Sequence, residues 1–275
     1  MVADREKVAL VTGATGGFGS VLARTLADAG MKVFGTGRQV PVQDAGGAVT
    51  LLPMDVTNDD SVAACLQSVL AEADRLDVVI NCVNDMFIAR TDEQSVAEVE
   101  RLYQTNVFGV MRVCQAVLPR FREQGDGMIV NMSSLGGLLA VPYMGAYTSA
   151  KHALEAMTEA LYHEVREDNV NVVIMQPVAM HMDRGATGSH LRLASGVGDD
   201  SFSHRMVAKM AADTAASGLT PERVADRVLA VTRMARPPLR VPMDRAVALS
   251  FVRRLAPQRV IDGLIGGLVK EAGAL

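Results

Sequence analysis

Cysteine is scarce in this sequence: three residues, Cys65, Cys82 and Cys114, an odd number with no CxxC pair. Cys65 and Cys114 fall in apolar helical patterns and Cys82 ends an apolar strand run. They read as buried thiols of a reducing compartment, not as a disulfide framework. The five histidines keep no metal-ligand spacing with one another or with the cysteines, so no metal site is expected. Positive charge is not in surplus either. Lys and Arg number 27 against 31 Asp and Glu, a net charge of −4, and this excludes the electrostatic footprint of a nucleic-acid binder. No run approaches the roughly 18 uninterrupted apolar residues of a membrane span. The opening MVADREKVALVTG has no basic stretch leading into an apolar signal core, so the expectation is a cytoplasmic chain.

What the chain does have is hydrophobic mass, 49% of 275 residues, arranged in a rhythm. Short β-branched runs at 8–12, 32–36, 48–53, 76–81, 127–133 and 171–177 alternate with helical patterns near 17–29, 58–74, 97–123 and 147–167. Continuous rather than alternating apolar strands, separated by helices, predict an α/β fold: one doubly wound parallel sheet with helices on both faces. No linker or repeat interrupts it, so residues 1–275 are expected to form one domain. Residues 178–219, rich in Gly, Ser, Asp and Met, read as a substrate lid or as a surface loop. TPERVADRVLAVTRMA (220–235) opens with a capping Thr220 and Pro221 at the first helical position. PLRVP (238–242) suggests a last short strand. The amphipathic tail 244–275 is expected to pack on its own domain or on a second subunit in preference to a membrane.

Two motifs carry chemistry. In VALVTGATGGFGSVLARTLADAG, Gly13, Gly17 and Gly19 sit between an apolar strand and a helix, with Thr15 and Phe18 in the same loop. Glycine there lets the backbone approach a pyrophosphate, and the helix N-terminus offers free N–H groups to the same anion. The second motif is VPYMGAYTSAK. Tyr147 and Lys151 are at i and i+4 and share a helical face. A phenol with a pKa near ~10 is a poor base until a neighbouring ammonium favours the phenolate. Ser134, 13 residues before Tyr147, follows a strand end where its hydroxyl can reach a carbonyl oxygen. Tyr143, beside Pro142 and before the helix, cannot share that face and reads as a pocket wall or as ordinary packing.

The spacing Thr12-Gly13-x-x-x-Gly17-x-Gly19, joined to Ser134, Tyr147 and Lys151, resembles the short-chain dehydrogenase/reductase family from about residue 7 to 177. Within it, SSLGGLLAVPYMGAYTSAKHALEAMTEALYHEV is similar to hydroxysteroid and retinol dehydrogenases. The resemblance implies Tyr147 as general acid/base, Lys151 as the group lowering its pKa and binding the nicotinamide ribose, and Ser134 as the group stabilising charge on the substrate. It also implies Asn106 as holder of a relay water. By the same likeness Asp55-Val56 holds the adenine, and Asn81, Val83 and Pro177 line the cofactor site. NAD-using members carry an acidic residue after the second strand, whereas this chain has Gly37-Arg38. A guanidinium grips a 2′-phosphate that a carboxylate would repel, so NADP(H) is the expected cofactor.

The sequence departs from the family pattern twice. Asn81-Cys82-Val83-Asn84 replaces Asn-Asn-Ala-Gly, with Asn84, a residue tolerant of positive φ, at the glycine position. Met182 stands where a threonine usually meets the nicotinamide amide. His181 reads as a solvated lid histidine or as a donor at the site mouth. The family likeness and the methionines at 175, 180, 182, 206 and 210 suggest a lipophilic ketone or secondary alcohol, steroid-, isoprenoid- or polyketide-like, as substrate. The family likeness also suggests a homodimer or homotetramer. Non-redox chemistry on the same fold, or a non-catalytic NADP(H)-binding regulator, are the competing expectations.

Overall fold

The computed structural model describes residues 6–40, 47–180, 191–216 and 218–271. The chain opens with β1 (Val8–Thr12), α1 (Gly17–Asp28), β2 (Lys32–Gly37), β3 (Val49–Pro53), α2 (Asp59–Ala73) and β4 (Val78–Asn81). Next come a two-residue strand β5 (Phe87–Ile88), α3 (Val96–Tyr103), a π-helical segment (Gln104–Gly109) and α4 (Val110–Gln124). Then follow β6 (Gly127–Met132), α5 (Gly145–Glu164), β7 (Val170–Gln176) and the short β8 (Arg192–Leu193). The C-terminal part holds α6 (Phe202–Ala215), α7 (Pro221–Thr232), β9 (Arg240–Pro242), α8 (Arg245–Leu255) and α9 (Gln258–Glu271).

Seven strands form one parallel sheet in the order β3-β2-β1-β4-β6-β7-β9, with helices around it. Buried on both faces, β1, β4 and β6 have no water-facing residue, which is why their sequences run apolar without alternation. One face packs on α1 and α7 through Leu22, Leu26, Val224 and Val228. The other packs on α2, α4 and α5 through Val69, Val117, Phe121 and Leu154. Strand order reverses between β1 and β4. In a sheet of this kind the carboxyl edge beside that switch is where ligands bind.

The helix caps follow their residues. Asn58 Oδ1 accepts the Ser61 N–H at 2.8 Å to start α2, and Thr220 caps α7 with Pro221 in its first turn. The structure corrects the single helix expected over 97–123. It is broken into α3, the π-helical segment and α4. A π-bulge widens the helical ring by one residue and commonly marks a functional position, and here Asn106 lies inside it. Residues 178–219 are not all irregular, because β8 pairs in parallel with β5 and α6 follows. Among the described residues no helix is long and apolar enough to cross a membrane.

Candidate active site

The glycine loop joins β1 to α1, and the N-terminus of α1 has neither a side-chain cap nor an acidic residue in its first turn. Its N–H groups therefore stay available to an anion. A Cβ on Gly19 would collide with the Gly13 carbonyl, so only glycine lets the helix start this close to the loop. Gly13 itself, at φ +70°, lies against Val83, whose backbone is 3.3 Å from where a Cβ would be. Thr12 ties the same segment down, its hydroxyl accepting the Cys82 N–H at 3.0 Å and the Val83 N–H at 3.3 Å. Val83 is thus placed against the loop. Thr15 is exposed and Phe18 is half-buried on the α1 side of the core.

At the end of β2, Gly37 is buried, and a side chain on it would run into the Thr15 side chain. Arg38 follows, exposed, and its charge is felt by Asp55. Hydrogen bonds from the Thr57 N–H (2.9 Å) and hydroxyl (2.8 Å) hold the Asp55 carboxyl below the usual carboxylate range, helped by Arg38 and Arg112. Asp55 is then a fixed anion at the end of β3, and Val56 is buried beside it. A loop of free N–H groups, glycines with no room for a Cβ, and an exposed arginine past β2 fit the pyrophosphate and the ribose end of a nicotinamide dinucleotide.

On the far side of β4 the catalytic candidates converge. Ser134 begins the 3-10 turn at 135–137, with its oxygen accepting the Gly136 N–H at 3.2 Å. Tyr147 lies beside it, near enough for the hydroxyl to lower the pKa of the phenol. Tyr147 and Lys151 lie in the first two turns of α5, both almost wholly buried. The Lys151 ammonium is 5.7 Å from the Tyr147 ring centroid and donates to the Met132 carbonyl at 2.9 Å. Burial pushes the Tyr147 phenol above its ordinary value, and the neighbouring Ser134 hydroxyl offsets that only in part. Burial also draws the Lys151 ammonium down to about 8.

Asn106 is wholly buried. Its Nδ2 donates to the Asp85 carbonyl at 2.6 Å and its Oδ1 accepts the Asp85 N–H at 2.7 Å, so the side chain clamps the segment that follows β4. Asn81 points into the sheet. Its Nδ2 donates to Asn131 Oδ1 at 2.8 Å, and Asn131 Nδ2 donates to the Thr158 hydroxyl at 2.9 Å. Pro177 is buried and its carbonyl accepts the Leu135 N–H at 2.8 Å, which joins the end of β7 to the serine turn. Asn84 is exposed, and positive φ among described non-glycine residues occurs at 74, 143, 169 and 244 only. The asparagine therefore replaces the glycine without the left-handed backbone that its tolerance was expected to serve. Tyr143 does adopt positive φ, 66°, with its carbonyl accepting the Ala89 N–H and its ring 5.1 Å from that of Phe202. Tyr143 is thereby turned toward α6. His181 and Met182 lie outside the described residues.

With this geometry in place, the profile of the short chain dehydrogenase family matches residues 7–192. The chain belongs to that family. Among curated relatives, this short-chain dehydrogenase is 31% identical over 249 residues to a 3-ketodihydrosphingosine reductase of Bacteroides thetaiotaomicron, covering 90% of this chain and 92% of that one. Among solved structures it superposes on a short-chain dehydrogenase from Streptomyces avermitilis with a TM-score of 0.83, at 26% identity over 98% of this chain and 99% of that one. A Burkholderia phymatum member in complex with NAD gives a TM-score of 0.77 at 23% identity, covering 94% and 96% of the two chains. A serine dehydrogenase complexed with NADP+ gives 0.73 at 27% identity, covering 86% and 94%. Relatives of this fold thus carry either nicotinamide cofactor.

The sequence reading missed Glu155, one helical turn past Lys151 and buried. Its signal was present: an acidic residue at i+4 from the lysine, on the helical face that also carries Tyr147.

Proposed function

We propose that this short-chain dehydrogenase is an NADP(H)-dependent oxidoreductase interconverting a lipophilic ketone and its secondary alcohol. The observation that carries the reading is Tyr147 buried beside Ser134, with the Lys151 ammonium 5.7 Å from its ring centroid and donating to the Met132 carbonyl at 2.9 Å. When bound, the nicotinamide supplies or accepts the hydride at the carbonyl carbon. Everything else is work for the chain. The Ser134 hydroxyl donates to the substrate oxygen and Tyr147 passes its proton to that oxygen as negative charge develops. The Lys151 ammonium lowers the cost of the phenolate left behind. In the oxidative direction the same phenolate takes the proton back.

Preference for NADP(H) is supported by Gly37 and Arg38. The buried Gly37 position has no room for the acidic side chain that would bind two ribose hydroxyls, and Arg38 offers a planar donor fork to a 2′-phosphate. A lipophilic substrate is supported by the apolar cluster that includes Tyr147 itself. There Met86, Val141, Tyr143, Phe202, Met206 and Met210 bring α6 against the start of α5. The 3-ketodihydrosphingosine reductase among the relatives points the same way, toward a ketone on a long alkyl chain.

The test is NADPH consumption with a series of long-chain 2-alkanones and 3-ketosphinganine. Wild-type protein is expected to oxidise NADPH with at least one of them, and a Tyr147→Phe variant to lose about 10²–10⁴-fold in kcat. Tight NADPH binding with no ketone reduced would overturn the redox reading. We propose further that the chain self-associates as a homodimer or homotetramer, because large apolar side chains stand exposed on α4, α8 and α9.

A further inference from the structure

Behind the catalytic lysine lies a buried carboxylate that the chemistry just described does not use. Glu155 is on α5, one turn beyond Lys151. It accepts three kinds of hydrogen bond. The Ser133 hydroxyl donates to Oε1 at 2.7 Å, Gln176 Nε2 donates to both oxygens at 2.8 and 2.9 Å, and Arg240 Nε donates to Oε2 at 3.3 Å. Arg240 continues outward to Glu159, one turn further along α5, at 2.9 Å. Charges of alternating sign thus run from the active site to the surface: Lys151, Glu155, Arg240, Glu159.

The placement of Glu155 is not arbitrary. Ser133 is the residue before Ser134, Gln176 is the residue before Pro177, and Glu155 shares a helical face with Lys151. One carboxylate therefore joins the serine turn, the segment after β7 and the helix that carries Tyr147 and Lys151. Space is reserved for it: a Cβ on Gly137 would collide with Glu155 Oε1 and Ser133 Oγ. A buried ion pair contributes little net stability against an apolar replacement of the same shape, so stability alone is a poor reason for four polar groups to meet here.

We propose that Glu155 is a positioning residue of this site, whose carboxylate holds the Ser134 and Pro177 segments in register with α5 and supplies the negative charge that keeps Lys151 an ammonium. The inference rests on the functional reading above for its consequence, but its electrostatic half concerns the protein alone. Among the described groups, Lys151 feels Cys82 from the segment after β4 and Glu155 from its own helix, with Tyr147 one turn before it. The Cys82 thiol is pushed up to about 12 by burial and so remains neutral where the lysine titrates. Glu155 is left as the anion opposing the burial that draws Lys151 down. Arg240, from β9, partly neutralises Glu155, and Glu159 in turn neutralises part of Arg240.

The experiment uses the full chain without cofactor, labelled with nitrogen-15 lysine, and follows the Lys151 Nζ resonance against pH. The signal is assigned by its disappearance in Lys151→Arg. Glu155→Gln keeps the shape and removes the charge. Its Lys151 titration is expected to move to lower pH by about one unit. Arg240→Gln leaves Glu155 in place and removes the cation behind it, so the same titration is expected to move to higher pH by a smaller amount. In ketone reduction, the alkaline limb of kcat, set by loss of the Lys151 proton, should move in each variant, relative to wild type, in the same direction as the resonance. Opposite movements are the signature, since general loosening of the fold would drive both variants the same way. If Glu155→Gln does not fold, Arg240→Gln decides by itself: an upward shift supports the proposal and an unmoved titration overturns it. Unmoved titrations in both folded variants, or shifts of one sign, also overturn it. Shifts of the expected sign in a protein that reduces no ketone would leave the charge relation standing and sink the proposed function instead.

Discussion

At the scale of single residues, two tyrosines four positions apart have been separated by their surroundings. Tyr147 is buried beside Ser134, one helical turn from Lys151. Tyr143 takes a left-handed backbone and turns its ring to Phe202. Only the first has an ammonium and a hydroxyl within reach, which is what proton exchange with a carbonyl oxygen demands. The proposed preference for NADP(H) also rests on single residues. Arg38→Ala should raise the KM for NADPH about 10–100-fold, the worth of losing charge-assisted bonds to a phosphate. The KM for NADH should stay within about twofold, since NADH has no 2′-phosphate to lose. Steady-state kinetics with both cofactors checks this, and equal losses for the two would refute the role of Arg38.

At the scale of elements, the helix that was expected to run unbroken over 97–123 shows what pattern reading can and cannot find. Its apolar periodicity is real, and α4 buries Val113, Val117 and Phe121 on one face. The π-helical segment at 104–109 leaves no trace in that periodicity, and the contact made from it, Asn106 to the backbone of Asp85, spans a gap of 21 residues. The short pair β5 and β8 was equally unreadable. Two-residue strands carry no alternation, and their partners are brought together only by the chain folding back after β7. Caps, by contrast, are local and were legible: Thr220 and Pro221 start α7 as their types require. Asn58 makes the same kind of bond to Ser61, so Asn58→Ala should cost about 1 kcal/mol. Thermal melting should then show Tm lower by about 2–4 °C with kcat unchanged.

At the scale of the whole molecule, the amphipathic tail was expected to bury its apolar face, and among the described residues that happens only in part. Ala246 and Ile261 are buried, but Phe251 and Leu255 are 62% and 81% exposed, one helical turn apart on α8. Val260 and Leu264 repeat the spacing on α9. Apolar surface of this kind on a monomer marks a contact. If it lies between subunits, Phe251→Glu combined with Leu255→Glu should reduce the sedimentation coefficient toward that of a single 29.3 kDa chain, while NADPH binding is retained. Unchanged sedimentation of a wild-type oligomer would place the contact elsewhere, on the exposed Phe108 and Met111 of α3 to α4.

The sequence by itself determined the alternation of strand and helix, and through it a parallel sheet with both faces covered, because burial on two sides forces continuous apolar strands. It also determined the glycine loop and the Tyr147–Lys151 pair, since both depend on spacing within a single turn. Tertiary structure alone decided the rest. Glu155 gathered its partners only when the end of β6, β7 and β9 delivered Ser133, Gln176 and Arg240 to one carboxylate from positions 21 to 85 residues away. No local pattern encodes such a meeting, because the energy of a buried charge depends on every element that surrounds it.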